Sequence, residues 1–355
     1  MPLATLVLTT GLMCLLGALG GIAATFLNLP LPYLLGSLIA TAIVAIFLPH
    51  RLPAGYDFPM KFRILFIALI GMLIGTQVTP ELVASIPGMA VSMAGVVIFV
   101  ILAQWANYLI FRRIGGFDAP TAYFSGAPGG LIESITMGEA SGANVQLLIS
   151  QQFLRIILVI GLVPLALSLW HGYPVGSASG IGFDTPRADL TQLPLVIAAA
   201  IAGTLAGYAL RLPAWQLTGA LLLSAGLNLA GYPLSPPDWL VKVAQVVIGA
   251  ALGMRFTGFS RQLLLRGLWL SAISVAVMLA IGATLSILVR LVTGDPFEVL
   301  LITYAPGGIN EMALIALSIQ ANPAFVTLHH IIRLTVTVLA MGVAARHLPG
   351  LHDRL

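Results

Sequence analysis

Apolar residues run through this chain in stretches of about twenty, interrupted by short clusters of Gly, Pro and charged residues, which is the spacing of helices that cross a bilayer. On that pattern, spans are predicted at 4–26, 32–48, 60–78, 84–111, 117–141 and 144–170. A second series follows at 192–210, 215–232, 239–257, 263–292, 297–321 and 324–346. The stretch between the series holds Gly, Pro, Ser and Asp without periodicity and reads as a linker. The expected organisation is therefore a first membrane repeat over 1–170, a linker over 171–190, a second membrane repeat over 191–347 and a cytoplasmic tail over 348–355.

The two series repeat in detail. Ala-Pro-Gly-Gly stands at 127–130 and at 305–308, Glu133 answers Glu311, and Arg155 answers Arg333, all at a spacing of 178 residues. Ala143-Asn144 and Ala321-Asn322 keep the same register, and Gly71 and Gly75 keep it with Gly249 and Gly253. Leu29-Pro30 and Gly36 are answered by Leu212-Pro213 and Gly219. Duplication at this length marks a membrane protein built from two copies of one unit. Basic residues follow the second and fourth segments of the first half (Arg51, Lys61, Arg63; Arg112, Arg113). In the second half they follow the first and third (Arg211; Arg255, Arg261, Arg266), with Asp238, Asp295 and Glu298 on the other side. Because Lys and Arg collect on the cytoplasmic face, this change of phase predicts inverted repeats, with both termini (Arg346, Arg354) cytoplasmic and the linker (Asp184, Asp189) outside. Inversion requires an odd number of crossings per half, so one of the six segments should not fully cross. The Pro-Gly-Gly segment is the candidate for a re-entrant or broken element. The fold class is all-α: a polytopic membrane protein with two inverted repeats of five to six segments.

Composition narrows the function. With 59% hydrophobic and 8% charged residues and a mean hydropathy of +1.03, the chain lies far from soluble domains, which carry about 25% charged residues. The net charge of +4 is strung through short loops and is no nucleic-acid footprint. One cysteine, Cys14, excludes an internal disulfide and a thiolate cluster. Of six histidines only His329 and His330 lie deep in an apolar segment, and adjacent residues do not share the helix face a metal site needs. No metal, cofactor or phosphate-binding loop is expected, and no enzymatic activity.

The chemistry gathers around the duplicated breaks. Pro128 and Pro306 lack an N–H and clash with the preceding turn, and Gly129-Gly130 and Gly307-Gly308 loosen the backbone further. New half-helices should start at about Leu131 and Ile309, their free N–H groups facing an anion or a carbonyl; the alternative is a plain kink. Glu133 and Glu311 fall in the first turns, as capping groups or as proton carriers, cation ligands or acceptors for substrate. Arg155 and Arg333 sit among Ile, Leu and Val, either salt-bridged to a glutamate or open to bind carboxylate bidentately. Ser125, Thr303 and Asn310 flank the breaks as neutral ligands. Gln151-Gln152 stands where the second half has His329-His330, so only the second repeat titrates there; His329, His330 and Glu311 are the proton-coupling candidates, with plain bonding to a backbone carbonyl as the alternative for the histidines.

The doubled Ala-Pro-Gly-Gly with its Glu and Arg resembles the AbrB family of bacterial membrane proteins over nearly the whole chain. That family carries two labels, a regulator of gene expression and, in older usage, an ammonia monooxygenase. Leu29-Pro30-Leu31-Pro32 through Gly36, Leu73-Ile74-Gly75 and the break at Pro128-Gly129-Gly130 are similar, over shorter stretches, to the cation–proton antiporter and bile-acid symporter superfamily, where two broken helices cross at the substrate site. The paired aspartates of many antiporters are missing here. The resemblance implies a multi-pass protein of the bacterial cytoplasmic membrane. Its expected function is secondary transport, proton-coupled, of a small polar or anionic solute, with the solute, protons and the lipid bilayer as partners, no nucleic acid, and a homo-oligomer left open. An indirect effect on gene expression is the alternative; a monooxygenase would need a His, Cys or carboxylate cluster that the sequence does not offer. The inverted arrangement predicts that single cysteines replacing Asp57 and Asp238 in a Cys14→Ala background label from opposite sides of the membrane; labelling from one side would favour parallel repeats.

Overall fold

The computed structural model describes residues 1–172, 192–232, 234, 237–259 and 261–345. The predicted linker beyond Gly172 and the tail at 348–355 lie outside the described residues. Among those residues there are helices and no strand. In chain order they are α1 (Leu3–Phe26), α2 (Pro32–Phe47), α3 (Met60–Gly75), α4 (Pro80–Ser85), α5 (Ala90–Leu109), α6 (Ala119–Ser125), α7 (Leu131–Ala140) and α8 (Val145–His171). The second half gives α9 (Leu193–Ala209), α10 (Trp215–Leu229), α11 (Asp238–Met254), α12 (Arg261–Thr293), α13 (Phe297–Tyr304), α14 (Ile309–Ser318) and α15 (Pro323–Ala345). Five helical runs are long and apolar enough to cross a membrane unaided: α1, α4 continued into α5, α8, most of α12, and α15. The chain is an all-α polytopic membrane protein. The predicted segments at 117–141 and 297–321 are the two that break, α6 from α7 and α13 from α14, at the Pro-Gly-Gly positions.

The described chain divides into two compact units, each drawn from both halves of the sequence. The first takes Met1–Ala84, Pro164–Phe259 and Ala313–Ala324. Its helices are nearly uniformly apolar, so packing is decided by small residues that let backbones approach. A Cβ on Gly253 of α11 would lie 2.5 Å from the Leu38 carbonyl oxygen of α2, and Gly249, one turn earlier, meets Leu34 and Ser37. The same contact recurs with the halves exchanged: Gly75 of α3 lies 2.5 Å, by the same measure, from the Leu221 carbonyl of α10, and Gly71 meets Leu217. Contacts that advance together make each pair parallel. The chain enters α2 and α10 through matching left-handed residues, Asn28 and Leu31 in one half and Arg211 and Ala214 in the other. These backbones are sterically unfavourable for L-residues, and their duplication shows that the entry turn belongs to the repeat.

The second unit takes Ser85–Val163, Ser260–Met312 and Phe325–Leu355. Here α5 and α12, the fourth segments of their halves, run antiparallel. Ser274 donates to Asn107 at 2.8 Å, Gly282 faces Phe99, and Gly95 faces Val289. Equivalent helices running in opposite directions are what an inverted repeat requires. Arg112 and Arg113 lie past one end of α5, while Asp295 and Glu298 lie past the other, where α12 ends.

The first break is a re-entrant hairpin. Asn144 donates its N–H to Thr121 at 2.7 Å, and Ser134 donates to the carbonyl of Phe124. Thus α7 returns along α6 to the level at which α6 began. Asp118 caps α6 by accepting from the Thr121 N–H at 2.8 Å, and Asn144 caps α8 by accepting from Leu147 at 3.1 Å. In the second half α15 runs alongside α13 in the same direction, since His330 bonds Ile302 and Arg333 bonds Ala305. The chain therefore turns back between α13 and α15. Gly253→Ala or Gly75→Ala is expected to destabilise the protein by about 1–3 kcal/mol, as overpacking does. Gly226→Ala, where nothing lies within 4 Å of an added Cβ, should be neutral or slightly stabilising by thermal unfolding in detergent.

Candidate functional site

A helix interrupted at membrane depth leaves carbonyls without partners on one side of the break and N–H groups without partners on the other. In the second unit the carbonyls are answered by side chains of the next helix. Arg155 of α8 donates to the Ala127 carbonyl, and Arg333 of α15 donates to the carbonyls of Ala305 and Gly307. One turn earlier, Gln152 donates to the Phe124 carbonyl at 2.8 Å, and His330 Nε2 donates to the Ile302 carbonyl at 3.0 Å. The donor and acceptor are 28 residues apart in each of these pairs from one half to the other. The sequence left two fates open for the arginines, a salt bridge or an open cavity, and the structure shows another: guanidiniums closing the carbonyl end of their own repeat's break. Gln152 and His330, chemically unlike, do one job.

The arginines are nonetheless not fully used. Arg155 and Arg333 are only 6% and 3% exposed, and the Nε of each is buried without a hydrogen-bond partner. They lie close together, because a Cβ on Gly129 would be 3.9 Å from Arg333 Nε while Arg155 holds Ala127 two residues before, and the charge of Arg155 reaches Arg333. Beyond Arg333, α15 passes across the first break, with Thr337 beside Gly129 and Val338 and Met341 beside Gly130.

On the N–H side, Gly130 adopts φ +66° and stands as the N-cap of α7, a left-handed backbone that glycine takes without a Cβ clash. Glu133 and Glu311 occupy the first turns of α7 and α14. Each carboxylate folds back toward its break, Glu133 beside Gly130 and Glu311 beside Gly308, near the positive end of the helix. Glu311 is buried and Glu133 half-buried. Pro128 and Pro306 are buried at the breaks. Ser125 is buried with its Oγ unpartnered; Thr303 donates back to Val299 at 2.7 Å; Asn310 is half-buried at the start of α14.

His329 is wholly buried and makes a different contact from His330: Nδ1 lies 2.8 Å from the Phe325 carbonyl and Nε2 2.8 Å from Ser92 Oγ on α5. Its counterpart Gln151 accepts from Ser271 on α12. Ser92 and Tyr304, whose hydroxyl donates to the Ser92 carbonyl at 3.1 Å, were not legible in the sequence, since a lone serine or tyrosine in an apolar helix carries no periodic signal. The role of Gln152 was within reach, because it shares the 178-residue register with His330. No group of three or more His, Cys, Asp or Glu among the described residues is arranged to hold a metal.

The sequence matches known proteins over nearly its whole length. The family described as "Transition state regulatory protein AbrB" matches residues 33–349. An Escherichia coli (strain K12) protein named "Putative regulator AbrB" is 26% identical over 350 residues, covering 96% of each chain. A Bacillus subtilis (strain 168) protein named "Uncharacterized protein YhjN" is 24% identical over 361 residues, covering 95% of this chain and 92% of the other. If Gln152 and His330 are equivalent carbonyl donors, His330→Gln should leave thermal stability nearly unchanged, whereas His330→Leu, which strands the Ile302 carbonyl, should cost about 1–3 kcal/mol.

Proposed function

The chain belongs to the AbrB family, and from its inverted repeats and buried charges we propose that it is a secondary transporter, proton-coupled, for a small anionic solute held between Arg155 and Arg333. The observation that carries this reading is the pair of neighbouring buried guanidiniums. Removing even one ion from water costs several kcal/mol, and two of the same sign repel. Carbonyl bonds offset part of that cost and leave each Nε available. A carboxylate placed between them supplies the missing acceptor and cancels the repulsion. The first N–H groups of α7 and α14 add positive potential beside the same breaks. Pseudo-symmetric broken helices around a central site are the layout that alternating access uses. Residence in the bacterial cytoplasmic membrane belongs to this proposal.

The family description and the name of the Escherichia coli relative speak of regulation. An effect on gene expression is accommodated as a consequence of solute balance, with no nucleic-acid contact.

Thermal unfolding of detergent-purified protein, with acetate, lactate, succinate, citrate or phosphate added, tests the reading. A bound anion at 100 times its Kd raises stability by about 2.7 kcal/mol. Arg155→Leu and Arg333→Leu should each abolish the response, and Arg333→Lys should weaken it because the planar fork is lost. A response that survives both Leu variants rejects the site. Unfolding of either Leu variant, reversed by Glu133→Gln or Glu311→Gln, would make the residues structural ion pairs instead.

A further inference from the structure

His329 sits in a hydrogen-bond arrangement that can be completed with the ring carrying either one proton or two, and we infer that His329, with Ser92 as its partner, is the proton-binding site of this protein. A carbonyl can only accept, so Nδ1, 2.8 Å from the Phe325 oxygen, carries a hydrogen. Ser92 has one hydroxyl hydrogen and two neighbours that can take it: the Met89 carbonyl at 2.9 Å and His329 Nε2 at 2.8 Å. With a neutral ring the hydroxyl must choose between them. When a proton binds the lone pair of Nε2, the imidazolium donates to Ser92 Oγ and the hydroxyl turns to Met89, so every group is satisfied. Release of the proton reverses both moves, and no other bond changes.

The surroundings link a charge at this site to the second break. Asp295, half-exposed in the loop before α13, is in electrostatic reach of both His329 and Tyr304. Tyr304 donates to the Ser92 carbonyl and ends α13, and the next residue, Ala305, is the carbonyl that Arg333 holds. A charge gained at His329 is thus one short helix-end away from the second break. The other titratable or charged groups nearby are His330 and Arg333 on the same helix; α5 carries no charged residue between Ala90 and Leu109. The first repeat makes the matching contact from Ser271 to Gln151, an amide that cannot titrate. The site is therefore present once per chain, which suits a coupling ion. Its role rests on the transport reading, but its existence does not.

Histidine-selective nitrogen-15 NMR of the detergent-purified protein reads the site without any solute. One ring, identified by its disappearance in His329→Gln, should be neutral with its hydrogen on Nδ1 at high pH and gain a second hydrogen at Nε2 as the pH is lowered. Ser92→Ala should displace that titration and leave the other histidines where they are; it also identifies the signal if His329→Gln does not fold. A ring that stays neutral throughout, or one whose neutral form has its hydrogen on Nε2, overturns the inference. A titrating ring in a protein that no carboxylate stabilises would keep the proton site and remove the anion reading. A carboxylate response beside a silent His329 would do the reverse.

Discussion

Backbone carbonyls stranded by two helix breaks in the buried interior of the second unit are the constraint around which the rest of this structure is arranged. Hydrocarbon offers no hydrogen bonds, and each unsatisfied group there costs several kcal/mol. The chain therefore places a donor on the following helix at each break: Arg155 with Gln152, and Arg333 with His330. That solution fixes the register of α8 against α6 and of α15 against α13. It also imports two cations into the apolar interior, and their mutual repulsion is a cost that an anion between them would relieve, so on the proposed reading a structural requirement and a binding site share the same side chains.

Inversion explains why these groups meet. Helices equivalent in sequence run in opposite directions in α5 and α12, and partners are exchanged between halves in α2 with α11 and α10 with α3. An axis of this kind brings a residue and its counterpart toward one point, so a single arginine in the repeat becomes a pair in the fold. Where the two halves have diverged, the pair becomes chemically unequal. Gln151 and His329 each bond a serine on the helix of the opposite half, yet only the imidazole can hold an extra proton. Gln152 and His330 keep the same carbonyl contact, because each side chain can give it an N–H.

Glycine usage separates in the same way. Gly71, Gly75, Gly249 and Gly253 are needed because a carbonyl of the facing helix lies where a Cβ would go. Gly130 is needed for its backbone conformation. A Cβ on Gly308 would meet only the Glu311 carboxylate, which folds back beside it. All of these recur in the sequence at the repeat spacing, and the repeat spacing alone cannot tell one reason from another.

The sequence by itself determined the all-α membrane class, the two-fold repetition, the helix breaks at Pro128 and Pro306 with restarts at Leu131 and Ile309, and the inverted sense of the repeats. These follow from local rules: the length of apolar runs, the missing N–H of proline, and the side on which basic residues fall. The odd number of crossings even required a re-entrant segment. Only the tertiary structure decided which donor answers which carbonyl, that the arginines cap their own breaks while lying beside each other, and that Ser92 rather than a carboxylate faces His329. Those outcomes depend on distances between residues 28 positions apart within a repeat and more than a hundred apart between repeats, set by how apolar helices pack through small residues. In an apolar chain nearly every face is equally hydrophobic, so no periodicity records which face turns inward.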